Sequence, residues 1–224
     1  MNYISLIEEL KKRGSVPGLD AIEGLLEELG HPEDNLKVVH IAGTNGKGSI
    51  FAYLSSILIA AGFKVGRYIS PTISCYEERF QINGEYITKD ELARLYNIVE
   101  EAMKREEEKT GLKPTLFEVE TAISFLYFKE EKVDYALSQV GMGGRMDATN
   151  VIRHPELTVI SSISYDHQAF LGDTLEEIAW QKAGIIKESC PVVLSENSDE
   201  VCKVIEQEAT KKKVKCIEIK PTDY

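Results

Sequence analysis

The chain has 224 residues, 43% of them apolar and 28% charged, with a formal charge of −11 at neutral pH. That length fits one large α/β domain or two small ones with a sizeable core, and the acidic balance excludes a surface that grips nucleic-acid backbones by general attraction. Any anionic ligand must be held by local groups. The four cysteines, Cys75, Cys190, Cys202 and Cys216, are scattered without a C-x-x-C pair, so neither a zinc site nor a disulfide framework is expected and the expected compartment is the reducing cytoplasm. No apolar leader follows Met1, no apolar run approaches a membrane span, and no membrane partner is expected.

In chain order, Tyr3, Leu6, Ile7 and Leu10 recur at helical spacing. Leu19, Ile22, Leu25, Leu26 and Leu29 repeat the pattern until Gly30 and Pro32 stop it. The apolar run 36–42 reads as the first strand, followed by a helix to about residue 61 with Gly62 as its cap, and then a strand over 64–69. A long segment, 70–88, contains Pro71 and places Asn83-Gly84 between 79–82 and 85–87, as a β-hairpin requires. Thr88 with Glu91 predicts a capping box and a helix that ends in the charged stretch 104–109, read as a solvated helix end. Residues 115–129 predict a largely buried helix, 133–140 a strand, 141–147 a glycine-rich loop and 157–163 another strand. Thr174 with Glu177 makes a second capping box for a helix toward Gly184. A strand over 191–195, a helix over about 198–210 and a strand over 214–219 complete the pattern. Lys220, Pro221, Thr222, Asp223 and Tyr224 follow without the closing helix such folds add, so residues 1–224 are expected to be a single truncated domain.

This alternation predicts a mostly parallel sheet with helices on both faces. Ligands then bind beyond the carboxyl ends of the strands, at loops 43–49, 70–86, 139–149 and 164–174. In the first of these, Gly43, Thr44, Asn45, Gly46, Lys47, Gly48 and Ser49 join a strand to a helix. Glycines let successive N–H groups approach an anion, and the helix N-terminus adds partial positive charge. Lys47 can reach terminal phosphates and Ser49 can offer a hydroxyl to Mg²⁺. The spacing departs from G-x-x-x-x-G-K-[ST], because Gly48 separates Lys47 from Ser49 and Ile41 stands at the first glycine. A plain turn with a solvated lysine is the alternative; the flanking strand and helix favour nucleotide.

Among the histidines, His31 and His154 read as surface residues and His40 as a core imidazole bonded to backbone. His167 follows Asp166 at a strand end, where it either ligates a phosphate-bridging metal or belongs to a turn that caps the next helix. By periodicity Lys182 is a solvated cation at a helix end. The loop 141–147 is either a flexible turn or, through its glycines and Arg145, a close approach to a bound phosphate or substrate.

Taken together, GTNGKGS at 43–49, Ser70-Pro71, Glu78-Arg79, Asn83-Gly84, residues 115–128, GGRMDATNV at 143–151, DHQAFLGDT at 166–174 and KAGIIK at 182–187 resemble folylpolyglutamate and dihydrofolate synthases of the Mur ligase superfamily. The resemblance covers nearly the whole chain. It implies a P-loop Mur-ligase-like central domain and an ATP-dependent ligase that joins L-glutamate to a folate or dihydropteroate carboxylate through an acyl phosphate. Carried over, Lys47 contacts ATP and Ser49 one Mg²⁺; Ser70 and His167 match ligands of a second Mg²⁺, and Lys182 matches a lysine that the family carbamylates. Lys47, His167 and Lys182 are thus the expected catalytic residues, and Pro71, Arg79, Arg145 and Asp147 the expected substrate-loop residues. Gln139 stands at the place of a metal-binding glutamate, leaving an amide oxygen without charge. Thr72 stands where many relatives carry histidine, and the glutamate-binding C-terminal domain of the relatives is expected to be missing. The rival readings are another Mur-type ligase acting on a cell-wall precursor and a non-catalytic nucleotide-binding module.

Overall fold

Five consecutive buried residues make β1 (Val38–Ala42), as expected of a strand covered on both faces. The computed structural model describes residues 3–14 and 16–220; the chain end from Pro221 onward, read above as a truncation, lies outside them. Around β1 the described residues form an eight-stranded sheet with β2 (Val65–Tyr68), β3 (Phe80–Ile82), β4 (Glu85–Tyr86), β5 (Tyr135–Gln139), β6 (Leu157–Ile160), β7 (Val192–Leu194) and β8 (Cys216–Glu218). The order is β4-β3-β2-β5-β1-β6-β7-β8. Six strands from β2 to β8 run parallel, and the hairpin β3–β4 adds antiparallel at one edge. Asn83 and Gly84 both adopt positive φ, the backbone a two-residue hairpin turn demands, and the Asn83 carboxamide accepts from the Val65 amide at 2.8 Å.

The helices are α1 (Tyr3–Lys11), α2 (Asp20–Glu28), α3 (Lys47–Ala60), α4 (Lys89–Thr110), α5 (Leu116–Glu130), the short α6 (Gln168–Leu171), α7 (Leu175–Ala183) and α8 (Asp199–Lys211). Strand alternation sorts them by face. Val39, Ile41, Leu137 and Val159 pack with Phe51 of α3 on one side. Val38 and Ala136 meet α1, α2, α4 and α5 on the other, where Ile160, Val192 and Leu194 meet α7 and α8. The expected parallel sheet with helices on both faces is therefore the architecture found.

Local capping agrees with the sequence in part. Thr174 and Glu177 form the full reciprocal box at the start of α7. Thr88 accepts from the Glu91 amide but forms only that half of its expected box. A complete box that the sequence reading passed over, Thr115 with Glu118, starts α5. The charged stretch 104–109 is not wholly solvated: Glu106 is buried and accepts a hydrogen bond from the Thr110 hydroxyl at 2.9 Å.

The parallel strands point their carboxyl ends to one rim. Gly43 follows β1, Ser70 lies just past β2, residues 140–147 follow β5 and residues 161–167 follow β6.

Candidate functional site

The glycine loop leaves β1 through Gly43, whose φ is 144°. A side chain there is strained by that backbone and its Cβ would run into Ser161 Oγ on the adjacent strand exit. The loop is tied to that exit on several atoms. Thr44 N donates to Ser162 O at 2.8 Å and Asn45 N to the same oxygen at 3.4 Å, while Thr44 Oγ1 donates to Ser164 O at 3.1 Å. The Thr44 and Asn45 amides thus brace the loop. The amides that remain for an anion are those at the start of α3, Gly46 to Ser49, which have no carbonyl one turn earlier in the helix to bond.

Two lysines converge on this loop. Lys47 Nζ donates to Gly43 O at 2.7 Å and Thr44 O at 3.1 Å. Lys182, carried by the last turn of α7, donates to the same Gly43 O at 3.0 Å. Its side chain belongs to a residue only 2% exposed, so the solvated helix-end reading of Lys182 is corrected. Burial first, and the nearby Lys47 charge second, pull its pKa down to about 8, against the opposing pull of Asp166 and Asp147. Burial likewise lowers the pKa of Lys47.

Other expected site residues lie around the same rim. Gln139 ends β5 and is buried, with its side-chain amide donating to Ser70 O. His167 is a half-exposed imidazole with a left-handed backbone, its ring 3.5 Å from the Asp166 carboxylate. Ser70 and His167 both line a cavity of about 450 Å³, floored by residues 141–144 and walled by Phe117, Met146, Phe170 and Leu171. Gly14, Val16, Pro17 and Gly18, from the connection between α1 and α2, close another side. Those four residues escaped the sequence reading, because apolar and glycine residues carry no chemical signature until the fold brings them together, whereas Phe117 and Phe170 lie in segments singled out there, 115–128 and 166–174, without being named.

Three expected substrate contacts have other partners. Asp147 is buried and accepts from the amides of Gly141, Met142 and Thr149 and from the Thr149 hydroxyl, all within 3.0 Å. It shapes its own loop and also lines the cavity. Arg79 pairs with the buried Glu120 at 3.2 Å, a carboxylate that also accepts from the Tyr76 hydroxyl. Arg145 lies over the Trp180 ring at 3.9 Å and pairs with Glu208 at 3.4 Å, turned toward α7 and α8 rather than toward the cavity. Pro71, by contrast, is exposed beside Ser70.

His40 also differs from expectation. Its Nε2 lies 2.8 Å from Thr149 Oγ1, a side chain rather than backbone. Because that hydroxyl gives its proton to Asp147 at 2.6 Å, its oxygen accepts, and the imidazole proton therefore sits on Nε2. Burial lowers the His40 pKa to about 3.

Comparison with known proteins agrees with this architecture. Residues 41–223 match the family model of the Mur ligase middle domain. The dihydrofolate synthase/folylpolyglutamate synthase of Bacillus subtilis is 45% identical over 199 residues, covering 88% of this chain and 46% of that protein. The dihydrofolate synthetase of Saccharomyces cerevisiae is 41% identical over 187 residues, covering 82% of this chain and 42% of that protein. The chain thus spans about half the length of the curated relatives it matches. Among solved structures, a complex of FPGS with AMPPCP and folate superposes with a TM-score of 0.91 at 34% identity, covering 97% of this chain and 54% of the other. The folylpolyglutamate synthase of Thermotoga maritima gives 0.87 at 40% identity, covering 96% and 49%.

Proposed function

This chain belongs to the family of Mur ligase middle domains, and from that membership we propose that it is the nucleotide-binding part of an ATP-dependent ligase that adds L-glutamate to a folate or dihydropteroate carboxylate. The observation that carries the reading is the convergence of Lys47 and Lys182 on the single carbonyl of Gly43, beside the first-turn amides of α3 and the mouth of an apolar cavity.

A carboxylate is a poor electrophile, and transfer of the γ-phosphoryl group onto its oxygen, with ADP leaving, makes an acyl phosphate that an amine can attack. The amine nitrogen then bonds the acyl carbon and inorganic phosphate departs. Such transfer needs positioning and neutralised oxygens more than covalent help from the protein. In this reading Lys47 leaves the loop carbonyls for the terminal phosphates, which are the stronger acceptors, while the α3 amides hold the rest of the triphosphate. The cavity takes the flat aromatic rings of the folate or dihydropteroate, with the carboxylate directed toward Ser70 and His167. A relative solved with AMPPCP and folate supports this pairing of ligands. Glutamate handling is assigned to the part of the relatives beyond the matched span.

Ser49 is an exposed hydroxyl on the first turn of α3, a hard oxygen donor that fits Mg²⁺ shared with phosphate oxygens. Mg²⁺ there would neutralise charge on those oxygens. The set expected for a second Mg²⁺, Ser70, Gln139 and His167, does not fit: it contains no carboxylate, and Gln139 turns an N–H toward Ser70 O. No step is routed through that site. Lys182, with a larger neutral fraction than an ordinary lysine, is suited to add CO₂ as a carbamate with release of one proton.

Calorimetry with Mg²⁺ and AMPPCP tests the reading. Binding by the wild type, reduced at least about tenfold in Lys47→Ala through loss of a charge-assisted phosphate contact, is the expected result. Equal affinity in the two proteins, or no heat in either, would overturn it.

A further inference from the structure

The last turn of a helix leaves carbonyls that its own backbone cannot satisfy, and a left-handed glycine after the helix usually meets that need. In α7 the cap residue Gly184 is right-handed, with φ −58°, so the usual device is absent. The chain leaving the helix bonds part of this end itself, Gly184 N donating to Gln181 O at 3.2 Å and Ile186 N to Ala183 O at 3.0 Å, and the loop after β5 supplies further donors. Arg145 N donates to Gln181 O at 2.8 Å and the Arg145 guanidinium to Trp180 O at 3.2 Å. Asn150 Nδ2 donates to Gly184 O at 3.2 Å and to Arg145 O at 3.0 Å, joining the two segments. Lys187 Nζ closes the arrangement on Asn150 O at 3.1 Å.

The contact is close enough to constrain both sides. A Cβ on Gly144 would meet Gln181 O at 2.9 Å and Lys182 O at 3.0 Å, and one on Gly184 would run into Arg145. Across the top, the Arg145 guanidinium lies over the Trp180 ring and reaches Glu208 of α8. Lys182 sits inside the turn that these contacts close, and its Nζ spans from there to Gly43 O.

We propose that Arg145 is a positioning residue for Lys182: by capping and stacking on the last turn of α7, it fixes the height and rotation at which the Lys182 ammonium meets the glycine loop. The proposal deepens the ligase reading and rests on it for the importance of Lys182. Arg145 acts through the helix end, with its guanidinium engaged by Trp180 and Glu208. A planar guanidinium suits this task, because it stacks on the ring while donating in its plane. The charged groups that act on Lys182 are Lys47 of α3, Asp166 from the exit of β6 and Asp147 of the β5 loop. A small shift of the helix end changes the distance to all three and the burial of the amine.

The test is trace acetylation of the 224-residue protein over a pH series, with the extent at Lys182 and at the exposed Lys104 read by mass spectrometry. In the wild type, the Lys182 midpoint should lie near its lowered pKa of about 8. Arg145→Ala should raise it by about one pH unit, a tenfold change in the neutral fraction at a given pH, with Lys104 unmoved. Trp180→Ala, which removes the stacking surface and keeps the backbone contacts, should shift it in the same direction and serves if Arg145→Ala does not fold. Arg145→Lys should fail to restore the wild-type midpoint. If Arg145 were merely structural, the variants would melt earlier with the Lys182 midpoint unchanged, and that result overturns the proposal. Protection of wild-type Lys182 by Mg²⁺ and AMPPCP is scored separately. A midpoint shift without such protection leaves the positioning intact and removes the ligase reading, whereas protection without a shift does the reverse.

Discussion

His40 shows how far a residue type can mislead when its neighbours are unknown. An imidazole inside a strand reads as a core group with a backbone partner, yet it donates to Thr149 and so braces the loop that Asp147 organises. The sign of its pH effect follows from the lowered pKa. The unfolded chain takes up a proton as pH falls through 6.5, whereas the folded protein resists until about pH 3. Stability is therefore full above the first value and is lost progressively toward the second. Between about pH 7 and pH 5 this group alone should remove about 2 kcal/mol. Urea unfolding at the two values should show that loss in the wild type and not in His40→Gln; equal losses would mean that the imidazole does not remain neutral in the fold. Arg145 and Arg79 carry the same lesson. Their charge was legible in the sequence, but their partners Trp180, Glu208 and Glu120 come from elements distant in the chain.

At the scale of elements, legibility followed the length of the periodic signal. Long helices such as α4 and α5 and the buried parallel strands emerge from their apolar spacing, with boundaries displaced by up to three residues, the largest being the end of β6 at Ile160 rather than 163. The four-residue α6 and the 3-10 turns Tyr76–Arg79 and Ala148–Val151 were not legible, because one turn is too short to express a period. Of the three Thr and Glu pairs that stand three apart, the boxes at Thr88 and Thr174 were legible and that at Thr115 was passed over, and the sequence did not distinguish the half-formed box at Thr88 from the full one at Thr174. The complete box at Thr115 serves α5, which is buried from Glu118 to Phe128. Thr115→Ala should therefore cost about 1 kcal/mol of unfolding free energy measured in urea, the usual value of a lost N-cap. A change within error would show that packing against the sheet holds that helix start without it.

For the whole molecule, the opposition between a net charge of −11 and an anionic ligand sets the encounter. Long-range repulsion acts on approach, while Lys47 and the α3 amides act only at contact. Salt screens the first more than the second. The association rate constant of Mg²⁺–AMPPCP, followed by emission of the single tryptophan, Trp180, should rise between about 50 and 300 mM salt as the Debye length shortens. A steep fall would instead mark attraction by a basic surface. The converging rim was legible as a set of loops, since parallel strands dictate it, but the cavity was not, because it borrows its wall from the connection between α1 and α2.

The shared direction of the strands has a practical corollary. At their amino ends lie the short turns around Phe63 and Lys132, both exposed and held by Lys64 N donating to Asp134 Oδ2 at 2.7 Å. None of the cradle, cavity or lysine contacts reaches that end. A dye or surface tether attached at Lys132 would anchor the molecule by its blunt side and leave the opposite mouth facing open solvent.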